Sequence, residues 1–457
     1  MALAGPVYGE LLSGVVASVV GAYWVAGLGA PAVAAVTLAG TVENLLLGLV
    51  LVVASGTTVR LAQAHGAGDR AGAVRVARAA WRLCALGSVL IAVPGFLARE
   101  RIAGAFLDGE AAALAADWFT VAFPAFALFF AQRIADELFK GVGDTRTPLR
   151  TALLGNALLL VLDPLLILGP GPFPALGVTG GALALTASRA VALAVTALLR
   201  RRHRMPAPAG GPLAGGLLAE GRAITATGAP FGLDFTARMA VGTVQLGLVA
   251  AFGVPAVAGY GVGYRVLLIV TMAFYAVRQA AAIEAARLTG AARRAGVDPA
   301  TVVRSLARDT ARLAGALGVG AALLCAAAAR PVAALFTDDP AVSGEAVGFL
   351  RMAGLYLLPY ALVVALGGVH QAAGAGRRPV LAVLLGLAAQ LASGAALSGP
   401  FGVRGLWAGM TIGALVQLAL LLLPLSRRRA GSAGDVPVPN EPEEASEGRL
   451  IERNAPA

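Results

Sequence analysis

The chain has 457 residues, 58% hydrophobic and 13% charged, with a mean hydropathy of +0.79 and a formal net charge of +11. Soluble domains carry roughly 25% charged residues, so the composition excludes a soluble globular protein and implies an all-α integral membrane protein. The basic excess also fails as a nucleic-acid footprint, because it is confined to alternate loops between apolar stretches.

A membrane-spanning helix needs about 20 apolar residues. Twelve such spans are predicted, at about 7–29, 32–58, 76–98, 113–139, 148–169, 175–199, 223–252, 256–281, 303–329, 346–369, 379–398 and 403–425. The first six and the last six repeat one another. Pro6, Pro31 and Gly66 recur as Pro230, Pro255 and Gly290, each 224 residues later. LGAPAVAAV at 28–36 returns as FGVPAVAGY at 252–260, and the glycine pair Gly177 and Gly180 returns as Gly402 and Gly405. Six spans per half is an even number, so both halves enter the bilayer from the same side. The expectation is twelve transmembrane helices in two parallel six-helix repeats related by an axis along the membrane normal.

The loops fix the orientation. Arg70, Arg75, Arg78 and Arg82 flank the second loop, Lys140, Arg146 and Arg150 the fourth, and Arg200, Arg201, Arg202 and Arg204 the sixth. Arg293 and Arg294, Arg377 and Arg378, and Arg427 to Arg429 continue the pattern. The opposite side holds Arg99, Arg101, Arg330 and Arg404 among five acids. The positive-inside rule then places both termini in the cytoplasm of a multi-pass plasma-membrane protein. The domain reading is an N-terminal lobe at 1–199, a Pro/Gly-rich cytoplasmic linker at 200–222, a C-terminal lobe at 223–425 and a disordered cytoplasmic tail at 426–457.

Energy must come from outside the polypeptide. Lys140, the only lysine, is followed by Gly141, so no phosphate-cradling GxxxxGK[ST] loop exists. H-E-x-x-H and G-x-S-x-G are absent, so no enzyme activity is expected. Cys84 and Cys325 lie in apolar spans, and His65, His203 and His370 lack ligand spacing, so neither a disulfide framework, a metal site nor a bound cofactor is expected. What remains is transport driven by an ion gradient, a flippase or a channel.

GTTVRLAQAHGAGD at 56–69, GVGDTRTPL at 141–149, GNALLLVLDPLLILG at 155–169 and GVTGGALAL at 177–185 together resemble the multidrug and toxic compound extrusion (MATE) family, in particular its DinF-like branch. The resemblance covers residues 1–425. It implies a central cleft between two six-helix lobes and proton- or sodium-coupled antiport of amphipathic organic solutes, by a monomer in the lipid bilayer. A lipid-linked oligosaccharide flippase of the wider superfamily is the alternative, although such proteins usually exceed twelve spans. Within GDTRTPL, Asp144 and Thr145 are placed to cap the next helix, with Pro148 in its first turn.

A charge at a helix centre costs roughly 2.5–3.5 kcal/mol on insertion scales, which makes each one a candidate site. Asp163 precedes Pro164, whose missing N–H can leave a carbonyl free for a cation. The resemblance implies a coupling-ion role for Asp163, against the plainer reading of a buried polar tie, and Asn156 lies two turns away on the same face. Two positions depart from the family pattern. Gly21 stands where members commonly carry aspartate, and Leu159 where they often carry asparagine. Glu10 shares a helix face with Gly14, Ser18 and Gly21 and is either a substitute carboxylate or a helix-end group reaching water. Its repeat counterpart is Asp234, four residues before Arg238, so the two can pair along one helix; Gln245 is the counterpart of Gly21. Asp234, Arg238 and Gln245, with Glu43 and Arg265, are candidates for the substrate cleft, and a Glu43–Arg265 pair would form one gate. Arg133, Asp136, Glu137 and Lys140 read as locally paired.

Overall fold

In a computed structural model the structure describes residues 3–170, 174–202, 216–374 and 376–423. Part of the expected linker and the whole 426–457 tail lie outside the described residues.

Twelve helices follow one another: α1 (Ala4–Ala26), α2 (Ala30–Gly66), α3 (Arg70–Gly104), α4 (Gly109–Gly141), α5 (Arg146–Leu168), α6 (Gly177–Arg202), α7 (Gly216–Ala250), α8 (Val254–Arg294), α9 (Pro299–Ala334), α10 (Pro340–Ala372), α11 (Arg377–Phe401) and α12 (Val403–Leu422). All but α7 are long and apolar enough to cross a membrane. In α7 the glycines and threonines, with Glu220, Arg222, Asp234 and Arg238, dilute the apolar run. Side chains such as Leu90, Leu97 and Leu323 stand exposed on the outer face, as lipid contact requires.

Several helices outrun their apolar stretches. The eighth is expected over 256–281, yet α8 continues through Glu284 and Arg287 to Arg294, because no proline intervenes before Gly296, which has φ +69. Similarly, 200–202 belong to α6 and 216–222 to α7, so the expected linker is helical at both ends. Between α4 and α5, Asp144 Oδ1 accepts from the backbone N–H of Arg146 and Thr147 at 3.0 Å each, while Thr147 Oγ1 donates to Oδ2 at 2.6 Å. Asp144 therefore caps α5; the Thr145 side chain makes no cap.

The duplication is visible in the backbone. Gly29 and Gly253, 224 residues apart, precede α2 and α8 with φ +98 and +91, a conformation that favours glycine. Where α2 and α8 cross, Gly66 packs on the backbone of Arg287, and Gly290 packs on the backbone of Gln63. Positions 63 and 287 are themselves repeat partners, so the crossing is reciprocal and lies on a pseudo-twofold axis. Val59 and Ile283, and Ala62 and Ala286, are further partners that share one buried cluster there.

The next seams break the symmetry. Gly56 of α2 and Gly228 of α7 sit against each other's backbone; nearby, Gly232 packs on the Gly48 carbonyl, while Gly48 faces the Thr236 side chain. Arg60 and Glu220 add a paired contact, with Nε and Nη2 donating at 3.0 and 3.1 Å. In the corresponding α1–α8 seam the repeat puts Ala280, Ala4, Tyr8 and Met272 where those glycines stand, so equally close approach is blocked. The lobes are thus joined toward the arginine-rich end of the bundle.

Candidate functional site

Two large cavities lie within the bundle. One, of ≈ 570 Å³, is enclosed by the N-terminal helices α1, α2, α4, α5 and α6. The other, of ≈ 580 Å³, lies between the lobes.

Asp163 lines the N-terminal cavity and is 4% exposed. Pro164 inside α5 removes the backbone donor that the Leu160 carbonyl would otherwise receive. Gly21 faces the carboxylate, and a Cβ added there would stand 3.2 Å from Oδ2. Positions 21 and 163 are therefore neighbours, and the missing side chain at 21 leaves the acid alone. Among the described residues no hydrogen bond or ion pair engages Asp163, whereas every other fully buried acid is engaged. Asn156 is in the same cavity but donates to Ser13 Oγ at 2.9 Å, and Ser13 Oγ donates to the Glu10 carbonyl at 2.8 Å.

Glu10 lines that cavity too, 7% exposed, yet it is committed to a partner that sequence reasoning placed elsewhere. Lys140 flanks the loop in sequence, in the last turn of α4, but its side chain turns inward. It is 1% exposed, because α4 runs on to Gly141 and holds it inside. Its Nζ donates to Glu10 Oε1 at 2.9 Å and to Glu137 Oε1 at 3.1 Å. Thr58 Oγ1 donates to Glu137 Oε2 at 2.5 Å, and Gln279 of α8 reaches both oxygens at 3.4 Å. Arg133 Nη1 is 3.8 Å from Glu10, and Asp136 accepts from Gln132 at 2.8 Å. The expected local pairing is real for Lys140 and Glu137, but it extends to α1, α2 and α8. The overlooked signal was the single lysine in a chain that otherwise uses arginine.

The C-terminal lobe solves the same problem differently. Asp234, 3% exposed, accepts from Arg238 Nε at 2.9 Å, as expected, and also from Arg278 Nη1 at 2.5 Å. Arg278 continues to Gln371 Oε1 at 2.8 Å, and Arg238 to Gln417 Oε1 at 3.2 Å. The bounds of α4 and α10 put Gln371 231 residues after Lys140, its repeat position, and Gly368 at that of Glu137. A Cβ on Gly368 would lie 2.7 Å from Arg278 Cγ, so this glycine admits the arginine that replaces the lysine. Gln245 accepts from Gln390 at 2.5 Å, and these two stand at the repeat positions of Gly21 and Leu159. Glutamines therefore fill the volume that remains open in the N-terminal lobe; only ≈ 10 Å³ is left beside Asp234.

The anticipated Glu43–Arg265 gate pair is not formed. Glu43 accepts from Trp118 Nε1 at 3.3 Å and lines the N-terminal cavity, whereas Arg265 is exposed on α8. Asp234 likewise stands behind the wall of the central cavity, while Arg238 and Gln245 line it. Among the described residues no cluster of His, Cys, Asp and Glu has the makings of a metal site.

The MatE family model matches residues 6–165 and 230–394, one match on each half. The probable multidrug resistance protein NorM of Deinococcus radiodurans is 31% identical, over 94% of this chain and 95% of its own length. The Vibrio cholerae MATE transporter VcmN in its bent form superposes with a TM-score of 0.83 at 20% identity, over 92% of this chain and 94% of that one. The outward-facing conformation of a multidrug resistance MATE family transporter of the MOP superfamily gives 0.82 at 21%, over 92% of each.

Proposed function

The chain belongs to the MATE family of multi-pass membrane transporters, and we propose that it exports amphipathic organic solutes by alternating access in exchange for a proton or sodium ion bound at Asp163. The observation that carries this reading is the lone carboxylate itself. A buried acid without a partner is costly unless something occupies the site for part of a cycle. The cavity in front of it has room for a cation and its water, and the Leu160 carbonyl, which Pro164 leaves without a helical donor, is an extra acceptor.

Several finer points belong to the same proposal. The GDTRTP turn, and Gly21 where many members place an aspartate, support the DinF-like branch. The basic loops support cytoplasmic termini, and closure of the lobes at that end then makes this the outward-facing state. Residues 1–199 and 223–425 act as the two rocking lobes. One chain supplies both lobes and the whole central cavity, which supports a working monomer. Asn156 holds α5 to α1 through Ser13, and Glu10 holds α1 to α4 through Lys140, around the ion rather than ligating it.

The test is reconstitution with a fluorescent solute, imposing pH and sodium gradients separately. Asp163→Asn should abolish gradient-driven movement while leaving yield and thermal stability unchanged. Normal efflux from that variant would refute the assignment, and movement of lipid-linked sugar with no solute movement would favour a flippase.

A further inference from the structure

The two cavities have opposite polarity. The N-terminal one is lined by four carboxylates, Glu10, Glu43, Asp136 and Asp163, and two arginines, Arg133 and Arg189. The central one is lined by four cations, Arg133, Lys140, Arg238 and Arg278, and one carboxylate, Glu137. Glu10 and Asp234 stand behind its wall as counterions, and adding them still leaves one positive charge in excess. From the charges and rings of this cleft we propose that the central cavity selects an anionic amphipath with a planar aromatic body, rather than a lipophilic cation.

The aromatic wall strengthens the inference. Phe235, Tyr264, Tyr275 and Tyr360 line the cavity, all from the C-terminal lobe. Electron-rich ring faces would ordinarily attract a cationic ligand. Here the protein's own cations already occupy two of the four, Tyr275 and Tyr360, and the neighbouring Phe231. The Arg238 guanidinium lies 5.1 Å from the Tyr360 ring centre, and that of Arg278 lies 5.2 Å from Phe231 and 6.0 Å from Tyr275. A second cation would meet like charge at the same faces. A planar anion instead packs against the electropositive ring edges and sets its charge beside Arg238 and Arg133, in a site whose low-dielectric walls strengthen that attraction. Separation of the cavities also keeps the coupling cation and the solute from neutralising one another. Arg133 lines both and stands between them.

This inference rests on the transporter reading of the central cavity but not on how transport is coupled. Full-length protein in lipid nanodiscs, with no gradient, is titrated with fluorescein and with a rhodamine ester, an anionic and a cationic dye on the same xanthene frame, and binding is read by fluorescence polarisation. Fluorescein should bind at least about tenfold more tightly. Equal affinity, tighter rhodamine binding or no fluorescein binding overturns the proposal, and none of these outcomes depends on a variant folding. Glu137→Gln removes the one lining acid while Lys140 keeps Glu10, so fluorescein affinity should rise about threefold; a fall overturns the proposal. If Asp163→Asn transports normally while the dye preference holds, coupling fails and selectivity stands. If the dye preference is reversed while Asp163→Asn is inactive, selectivity fails and coupling stands.

Discussion

Lys140→Met should be among the most destabilising single changes in this chain. The ammonium is 1% exposed and lies 2.9 and 3.1 Å from two carboxylates. Taking it away leaves Glu10 and Glu137, both almost wholly buried, facing one another without their shared cation. Breaking a buried ion pair from one side costs about 3–5 kcal/mol. Two contacts soften the loss: Arg133 remains 3.8 Å from Glu10, and Thr58 still donates to Glu137. The lower end, about 3 kcal/mol, is therefore expected. The triple variant Glu10→Gln, Glu137→Gln, Lys140→Met removes both stranded charges along with the cation. Replacing a whole buried triad is often neutral, so it should recover to within about 1 kcal/mol of the parent. Unfolding in dodecyl sulfate, followed by tryptophan fluorescence, reads both. If Lys140→Met alone costs less than about 1 kcal/mol, or if the triple variant is no better than the single one, the triad does not hold α1 to α4 as described.

The other seams make their own predictions. Gly228→Val drives a branched side chain into the Val52 carbonyl and should destabilise by about 1–3 kcal/mol or more, whereas Gly221→Val, which faces only the Leu83 side chain, should cost far less; equal effects would show that the α2–α7 seam is not tight. Ala62→Cys with Ala286→Cys, in the cluster on the pseudo-twofold axis, should cross-link under oxidation and stop transport, with recovery on reduction. Continued transport by the fully cross-linked protein would mean that the α2–α8 crossing does not open during the cycle.

The frame of the protein was legible because a bilayer leaves little choice. Apolar runs of span length can only be helices there, and a repeat of even span number can only be parallel. The pairing of Asp234 with Arg238 was also legible, since four residues on a helix bring side chains together. The partners contributed by other helices were not. Nothing in the spacing of α1 and α4 says that Lys140 will meet Glu10, 130 positions away, or that Arg278 will reach Asp234 from α8. Glu43 and Arg265 are not paired in this conformation, and similar depth in the membrane says nothing about which way a side chain faces. Trp118, not Arg265, stands beside Glu43.

Duplication supplies two equal lobes, so function must lie where the equality is broken. Substitutions at three repeat positions break it. Leu159, Ala192 and Gly21 in the first half become Gln390, Gln417 and Gln245 in the second. Gln390 donates to Gln245, Gln417 accepts from Arg238, and together the three close the C-terminal lobe. Gly394 stands where Asp163 would be, packed against Leu406, so that lobe keeps neither the acid nor the space before it. One half is left with an unpaired carboxylate and a cavity, the other with a paired acid, glutamines where the cavity would be, and the aromatic wall. On the proposed coupling role, a cation arriving at Asp163 would change the charge of the N-terminal half alone. The contacts best placed to feel that change run through Glu10 and Lys140 to Glu137, whose oxygens meet Gln279 of the opposite lobe at the floor of the central cavity.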